Sequence, residues 1–386
     1  MVSSDKNLTD WHTHAEIYAQ PKIWREWADE LENVADDIRK WIELRQPKEI
    51  WFCGAGTSAF IGETLSAHLG VDTTRIYRSI PTTDFVSVAY NYPQPKHRVL
   101  VVSFGRSGES SETIAMLDML NQHYADFDRL NITCNRDSHL ANCPLPQISG
   151  AKCAQKTIIL PDETLDKGFA MTSSYTTMLM TALACFDSVS LPQVKRIMAE
   201  LSAAAETLLA RLPTQLAKYT NPQGKNMPNR CIFLGSGALL GTARESALKI
   251  LELAAGQIIT QWDSCLGFRH GPKAVVNQDS HVFVFISNHA YTRQYDLDIA
   301  EEIAAQYGAE NVTTIGLGPE VQISLATGLS AQLAVNDGWC SLLYVLVSHI
   351  LCIQFSQALG LNVDNPFDAG NLTRVVAGVK IYPYAK

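Results

Sequence analysis

Residues 50–57 are Ile50-Trp51-Phe52-Cys53-Gly54-Ala55-Gly56-Thr57, a short apolar run that ends in a glycine-rich turn. Such a run is typical of a buried strand, and a helical pattern follows at once from Thr57 to Leu69. The same succession recurs with a strand at Arg98–Ser103, a turn at Phe104–Glu109 and a helix at Ser110–Gln122. Strands that alternate with helices in this way predict a parallel, doubly wound sheet flanked by helices.

The pattern starts again in the second half of the chain. A candidate linker at Asn221-Pro222-Gln223-Gly224 precedes a strand at Cys231–Leu234, the turn Gly235-Ser236-Gly237 and a helix at Thr242–Ala255. The two glycine turns lie too far apart for a solenoid repeat, and their spacing suits a duplicated domain. We therefore predict two tandem α/β domains between two terminal segments. The predicted bounds are 1–44 for an N-terminal helical segment, 45–215 and 216–365 for the two domains, and 366–386 for a C-terminal tail.

The composition is that of a globular protein. Of the 386 residues, 46% are hydrophobic and 18% are charged, and the net charge is -8. This acidic balance argues against nucleic-acid binding as a main task, because nucleic-acid binders usually present a basic surface, and we predict no nucleic-acid partner. The nine cysteines are scattered without a C-x-x-C pair, which favours thiols in a reducing compartment over a disulfide framework or a zinc site.

Two segments bear on the location of the protein. Residues Met1–Asp10 are polar and lack the apolar core of a signal peptide. The segment Trp339–Phe355 is apolar, but polar residues interrupt it and it falls short of a membrane-spanning run. These polar residues are Ser341, Ser348, His349 and Gln354. We predict a buried helix there, no membrane partner and, by elimination, a cytoplasmic protein.

The turn between the second predicted strand and its helix is the richest candidate site. It reads Ser103-Phe104-Gly105-Arg106-Ser107-Gly108-Glu109-Ser110-Ser111-Glu112-Thr113. Two glycines let a ligand approach the backbone, several hydroxyls can donate to phosphate oxygens, and the helix N-terminus that follows favours an anion. An ordinary capped turn, with Ser110 and Thr113 as capping residues, explains the same residues. From composition alone the two interpretations are equally good.

The first glycine turn also matches a dinucleotide-binding pattern. Gly54 to Ala59 has the form G-x-G-x-x-A. The pattern further requires an acidic residue at the end of the next strand, where Tyr77, Arg78 and Ser79 stand instead. A nicotinamide cofactor is therefore disfavoured.

Three charged residues share one face of the predicted helix Thr242–Ala255. Glu245, Lys249 and Glu252 follow each other at helical spacing, which is usually explained by a solvated row of ion pairs. His270 lies further on, in Gly267-Phe268-Arg269-His270-Gly271-Pro272, and a histidine in such a turn is more often a surface residue than a catalytic one. Spacing alone leaves both alternatives open.

Taken together, these motifs resemble those of the sugar-isomerase (SIS) domain family. Ser107-Gly108-Glu109-Ser110 and Cys53–Ser58 are similar to its phosphosugar-binding turns. Ala247-Leu248-Lys249-Ile250-Leu251-Glu252, followed by Gly267–Pro272, resembles the A-L-K-x-x-E…G-x-x-H-G-P signature in the isomerase half of glucosamine-6-phosphate synthase. The resemblance implies two tandem SIS domains, each a flavodoxin-like three-layer sandwich, with no metal and no cofactor.

The resemblance also implies roles for individual residues. Phosphate and substrate binding falls to residues of the turns and of a later helix start: Gly56, Thr57, Ser58, Arg106, Ser107, Gly108, Ser110, Thr113 and Ser173. Catalysis falls to Glu252 as the proton shuttle between C2 and C1, His270 in ring opening, Lys249 in charge stabilisation, and Arg374. Arg374 aligns with a lysine of the synthase and cannot form a Schiff base, because a guanidinium stays protonated. The tail 366–386 is expected to close the active site.

Within the family, the turn Phe104–Gly108 and the ends Asp364–Phe367 and Asn371–Arg374 resemble the galactosamine-6-phosphate deaminase/isomerase group. The implied reaction converts galactosamine 6-phosphate to tagatose 6-phosphate and ammonia, in amino-sugar catabolism. A homodimer with shared active sites is implied by the synthase, whose glutaminase domain and nucleophilic cysteine have no counterpart here. The alternatives are a non-deaminating aldose–ketose isomerase, a fructosamine-type deglycase and, less favoured, a non-catalytic sugar-phosphate sensor.

Overall fold

The structure is a computed structural model that describes residues 7–124, 126–146, 152–220, 227–326, 328–331, 333–334, 336–367 and 369–384. The α-helices in this part of the chain are α1 (His12–Arg45), α2 (Thr57–Leu69), α3 (Thr82–Ser87), α4 (Ser111–His123), α5 (His139–Asn142), α6 (Ser173–Phe186), α7 (Leu191–Leu216), α8 (Ala238–Leu253), α9 (Ala290–Tyr307) and α10 (Asp337–Ala358). The strands are β1 (Glu49–Gly54), β2 (Ile76–Pro81), β3 (Val99–Gly105), β4 (Asp128–Thr133), β5 (Gln155–Ile159), β6 (Arg230–Leu234), β7 (Ile259–Asp263), β8 (Ser280–Phe285), β9 (Val312–Gly316) and β10 (Ile323–Ser324).

The first sheet has the strand order β2-β1-β3-β4-β5, and all its neighbouring strands are parallel. Every residue of β1 and β3 is buried. Parallel strands covered on both faces need apolar residues at successive positions, which explains the uninterrupted apolar run at Ile50–Cys53. Trp51 of β1 lies at the centre of an aromatic cluster, with its ring centroid 6.0 Å from that of Phe85 and 5.2 Å from that of Phe127.

The second sheet has the order β10-β9-β8-β6-β7 and is also parallel throughout. Numbered within its own half of the chain, each sheet has the order 2-1-3-4-5, which is the flavodoxin-like order. The predicted fold class, two tandem doubly wound parallel sheets, is confirmed. In this topology ligands bind at the carboxyl ends of the two strands where the order reverses. These switch points lie between β1 and β3 and between β6 and β8.

The chain divides into two compact units, one for each sheet. The first-sheet unit comprises residues 26–166, 173–195 and 372–386, and the second-sheet unit comprises 1–25, 167–172 and 196–371. The continuous domain bounds 45–215 and 216–365 stay predictions, as do the separate segments 1–44 and 366–386. The linker candidate at 221–224 lies outside the described residues.

The long helices are present where the sequence predicts them. α1 covers the predicted helical segment, with Leu31, Ala35 and Ile38 fully or almost fully buried. α10 contains the long apolar segment and is the described helix long and apolar enough to span a membrane by length and composition. Because 94% of its most apolar window is buried within the protein, and because it packs against α8, the predicted buried core helix is confirmed.

Candidate active site

The serine-rich turn joins β3 to α4 at the switch point of the first sheet. Gly108 adopts a φ of +66°, and a Cβ at this position would lie 2.5 Å from Ser138 Oγ. The turn is supported from behind, because Asn135 Nδ2 donates to the Ser107 carbonyl at 3.0 Å and the Leu140 amide donates to the Gly108 carbonyl at 3.2 Å. The carbonyls therefore face the protein, and a glycine is required at residue 108.

The amides of this turn are available to a ligand. Within the described residues, the backbone N–H groups of Ser107, Gly108 and Ser110 donate to no protein acceptor. Ser110 is the N-cap of α4: its Oγ accepts from the Thr113 amide at 3.3 Å and lies 2.7 Å from Thr113 Oγ1. The capped-turn alternative is thus confirmed for Ser110 and Thr113. It leaves three amide donors at a helix N-terminus, which is an arrangement suited to phosphate.

A second glycine turn follows β1, the strand beside β3. Gly56 has a φ of +56°, and a Cβ on Gly54 would lie 2.5 Å from the backbone carbon and oxygen of Ser58. α2 begins directly after this turn without a side-chain cap, and its first residues, Thr57 and Ser58, are buried. Both turns of the first switch point therefore end in helix N-termini. The residues predicted there to bind phosphate keep that role as a prediction.

Arg106, one of the predicted phosphate ligands, contacts the C-terminal segment of the chain. Arg106 is buried, and its guanidinium donates to the Arg374 carbonyl at 3.1 Å. The Arg374 guanidinium donates to the Asp166 carbonyl, and the Ser111 amide donates to the Val376 carbonyl at 3.1 Å. The C-terminal segment of the first-sheet unit is thus fastened to the serine-rich turn by Arg106 and Ser111.

Ser173, the last predicted phosphate ligand, lies at the N-terminus of α6. Asp166, fully buried, accepts from the Ser173 amide and hydroxyl at 3.1 and 2.5 Å, and from the Ser174 amide and hydroxyl at 3.0 and 2.5 Å. An internal carboxylate therefore occupies this helix N-terminus. Phosphate binding by Ser173 stays a prediction, and the structure shows the residue as a donor to Asp166.

The hydrogen bonds that Asp166 accepts from Ser173 and Ser174 are expected to stabilise the fold. The substitution Asp166→Asn is expected to lower the free energy of unfolding by roughly 2–3 kcal/mol, because an amide NH₂ would face a buried hydroxyl and amide that both donate. Urea unfolding of the full chain measures the change. Asp162→Asn is the matched control, since Asp162 is 76% exposed and pairs with a similarly exposed Arg136. A loss for Asp166→Asn no larger than that of the control would show that the carboxylate does not stabilise α6.

The predicted catalytic residues of the second-sheet unit begin with the charged face of α8. Lys249 Nζ lies 2.6 Å from Glu252 Oε2 and 3.4 Å from Glu245 Oε1. Glu245 and Lys249 are 0% and 1% exposed, and the Glu252 side chain is 21% exposed. The expectation of a solvated row is wrong for the two inner residues, because α10 packs over α8. Buried charges are costly unless they are paired, and a chain rarely keeps them without a function.

His349 of α10 is fully buried in the same region. In the sequence this residue stands out only because it interrupts an apolar run. The Gln20 amide nitrogen donates to the Ile17 carbonyl and lies 3.3 Å from His349 Nδ1. Full burial, with a smaller effect of the positive charge of Lys249, lowers the pKa of His349 to about 3. The imidazole is therefore neutral at physiological pH. No sequence signal distinguishes this histidine, because its neighbours in space come from distant segments.

His270 follows a short 3-10 helix, Gly267–Arg269, in a turn that Gly271 completes with a φ of +118°. The side chain is exposed, and within the described residues no hydrogen bond or ion pair joins it to Lys249 or Glu252. The turn is anchored through Arg269, whose Nε lies 2.7 Å from a carboxylate oxygen of Glu302. The catalytic role of His270 stays a prediction.

No metal centre is evident in the described ranges, where no group of three or more His, Cys, Asp or Glu residues is placed to hold an ion. The described cysteines carry free thiols.

A flavodoxin-like sheet with a serine- and glycine-rich turn at its switch point is the arrangement that the sequence motifs predict for an SIS domain. The family model described as SIS domain matches residues 43–187, which include β1 to β5 and both turns of the first switch point. The chain belongs to the AgaS family of SIS-domain proteins, because relatives of that name match it over nearly all of its residues. It is 35% identical to the D-galactosamine-6-phosphate deaminase AgaS of Escherichia coli over 96% of each chain.

Two further relatives extend this comparison. The chain is 37% identical to the D-galactosamine-6-phosphate deaminase AgaS of Shewanella sp. strain ANA-3, over 100% of this chain and 96% of the relative. Its structure is similar to the crystal structure of the tagatose-6-phosphate ketose/aldose isomerase from Escherichia coli, with a TM-score of 0.84, 31% identity and 98% of each chain covered. The family assignment made from the sequence motifs is confirmed, and the relatives support an enzyme that acts on sugar phosphates.

Proposed function

We propose that this protein converts D-galactosamine 6-phosphate to tagatose 6-phosphate and ammonia. The observation that carries the proposal is the buried Glu252–Lys249 pair, with a contact of 2.6 Å and only Glu252 reaching solvent. An ion pair with one accessible carboxylate suits proton transfer at a carbon atom, because the carboxylate can reach a substrate while the lysine stays in place. The names of the full-length relatives support the choice of substrate.

In the proposed reaction, the serine-rich turn holds the 6-phosphate. The amides of Ser107, Gly108 and Ser110 donate to the phosphate oxygens, and the N-terminus of α4 adds its positive dipole. Holding the phosphate orients the rest of the sugar and so supplies the positional part of catalysis. Arg106 contributes by fastening the segment around Arg374 to the turn.

We assign the chemical steps to His270, Glu252 and Lys249. His270 moves the proton that opens the pyranose ring, and Glu252 then removes the proton from C2 and returns it to C1. Lys249 stabilises the negative charge that develops on the substrate oxygen. C2 is oxidised and C1 is reduced within one molecule, so no external oxidant is consumed. The resulting C2 imine adds water, the C–N bond breaks, and ammonia leaves with the ketose phosphate as the second product.

Arg374 has a positioning role in this scheme. Its guanidinium remains protonated and cannot condense with a carbonyl, so the reaction proceeds without a Schiff base on this residue.

We also propose that the protein acts in the cytoplasm, as a homodimer whose active sites contain residues of both copies. The oligomeric state can be measured by sedimentation velocity.

The reaction itself is tested by incubating the purified protein with galactosamine 6-phosphate and measuring ammonia and ketose phosphate. We expect both products in equal amounts without added cofactor. Glucosamine 6-phosphate, the C4 epimer, is the matched control, and we expect it to react more slowly. Ketose formation without ammonia from a non-amino aldose phosphate, together with no reaction of either amino sugar, would replace the proposal by a plain aldose–ketose isomerase.

A further inference from the structure

The switch point of the second sheet repeats the backbone of the first. Gly56 has φ and ψ of 56° and −128°, and Gly237 has 58° and −126°. A Cβ on Gly54 would lie 2.5 Å from the Ser58 carbonyl oxygen, and one on Gly235 would lie 2.4 Å from that of Leu239. Both turns lead into a helix, α2 or α8, without a side-chain cap. The second half of the chain therefore repeats the backbone of the glycine turn that we predict to bind an anion in the first half.

At this second switch point, the Ser236 hydroxyl and the donors that follow β8 bind carboxylates of the protein. Asp296 of α9 accepts from Ser236 Oγ at 2.6 Å and from the Ser287 amide at 2.9 Å. Asp337, at the start of α10, accepts from Ser287 Oγ at 2.5 Å and from the Asn288 amide at 2.8 Å. Each carboxylate uses both of its oxygens. The amides that follow β8 are thus satisfied, in contrast to the amides of Ser107, Gly108 and Ser110 that follow β3.

Two negatively charged side chains, Asp296 and Asp337, disfavour the binding of a further anion at the donors after β8. Asp296 is fully buried, and its carboxylate together with that of Asp337 surrounds Ser287. Burial, together with the neighbouring charge of Asp296, raises the pKa of Asp337. The Arg293 guanidinium donates to the Ser287 and Leu317 carbonyls and pairs with Glu320. A phosphate dianion would meet two carboxylates at the donors that it needs.

We propose that the switch point between β6 and β8 is an anion-binding site that Asp296 and Asp337 keep closed, so that each chain binds one sugar phosphate and not two. The part of this proposal that concerns sugar phosphates rests on the proposed function, whereas the part that concerns an internal anion site stands independently of it. Asp296 is the decisive residue, because its carboxylate joins the glycine-turn hydroxyl of Ser236 to the Ser287 amide after β8.

The proposal is tested first by chemical rescue with formate, a carboxylate small enough to replace that of Asp296. The variant Asp296→Ala is expected to unfold at a Tm lower by roughly 5 °C, because buried donors lose their acceptor. Sodium formate is expected to raise this Tm in a concentration-dependent manner relative to sodium chloride at equal ionic strength. Ile299→Ala, at a buried site of the same helix, is the matched control and should lose stability without responding to formate.

A folded Asp296→Ala variant whose Tm responds equally to formate and chloride would overturn the anion site. If the Asp296→Ala variant fails to fold, the number of sugar-phosphate molecules bound per chain tests the proposal instead. Galactosamine 6-phosphate is titrated calorimetrically into the Glu252→Gln variant, which binds without turnover. One site per chain supports the proposal, and two sites contradict it. Formate rescue without any binding of the sugar phosphate would retain the closed anion site and reject the proposed function instead.

Discussion

The substitution Glu252→Gln is expected to lower kcat for ammonia release from galactosamine 6-phosphate by about 10³-fold, within the range typical of general acid–base groups. The amide keeps the size of the carboxylate and can still accept from Lys249, but it cannot take the proton from C2. KM is expected to change little, because in the proposed reaction the serine-rich turn, and not Glu252, holds the phosphate. Steady-state kinetics with coupled ammonia detection measures both constants, and deuterium at C2 reports on the proton-transfer step.

The matched control for this variant is Glu206→Gln, the same change at a carboxylate of the same unit. Glu206 is 51% exposed and pairs with Arg25 on the protein surface. Exposed pairs contribute little to stability, so this variant should retain wild-type kcat within a factor of about two. A Glu252→Gln enzyme that keeps more than about a tenth of wild-type kcat would exclude Glu252 as the proton carrier.

The substitution Gly108→Ala is expected to abolish measurable binding of the sugar phosphate, with kcat/KM reduced by at least roughly 10²-fold. Two effects act together. The φ of +66° disfavours a side chain by about 1–2 kcal/mol, and the new Cβ would lie 2.5 Å from Ser138 Oγ. Relief of this clash must move the turn, and with it the amides of Ser107, Gly108 and Ser110. Calorimetric titration with galactosamine 6-phosphate measures the loss of affinity.

Gly360→Ala separates backbone strain from loss of the site. Gly360 has a φ of +67°, and a Cβ there would meet no atom within 4 Å. The control should therefore lose a similar amount of stability from the backbone and keep wild-type affinity. Equal affinities for the two variants would mean that the turn at residue 108 does not bind the phosphate.

The central strands and their turns could be predicted from the sequence because burial on both faces imposes a continuous apolar run. Ile50–Cys53 and Cys231–Leu234 carry that run, and both stand next to a switch point. The edge strand β7 was not predicted, because its side chains are partly solvated: Ile259 is 55% exposed and Trp262 is 41% exposed. A strand of this kind has neither an apolar run nor a clear alternation, and its identity comes from pairing with β6.

The candidate site was predictable in part for a similar reason. Short motifs such as Ser107-Gly108-Glu109-Ser110 and the Lys249–Glu252 spacing determine local geometry, so the turn, its helix and the shared helix face follow from the sequence. The depth at which Lys249 is buried does not follow from it. That depth depends on α10, which begins more than eighty residues further along the chain.

The sequence by itself determined the two doubly wound sheets and the glycine turns at their switch points, and it supplied the residues predicted to hold a phosphate or move a proton. These features depend on residues that are close to each other in the sequence, so a short sequence pattern is enough to predict them. Only the tertiary structure decided which donors remain available to a ligand. Among the residues that the structure describes, the amides of Ser107, Gly108 and Ser110 after β3 have no protein acceptor, whereas those of Ser287 and Asn288 after β8 donate to Asp296 and Asp337. The physical reason is that a hydrogen-bond acceptor is chosen by distance in space, and the acceptors of Ser287 come from two different helices.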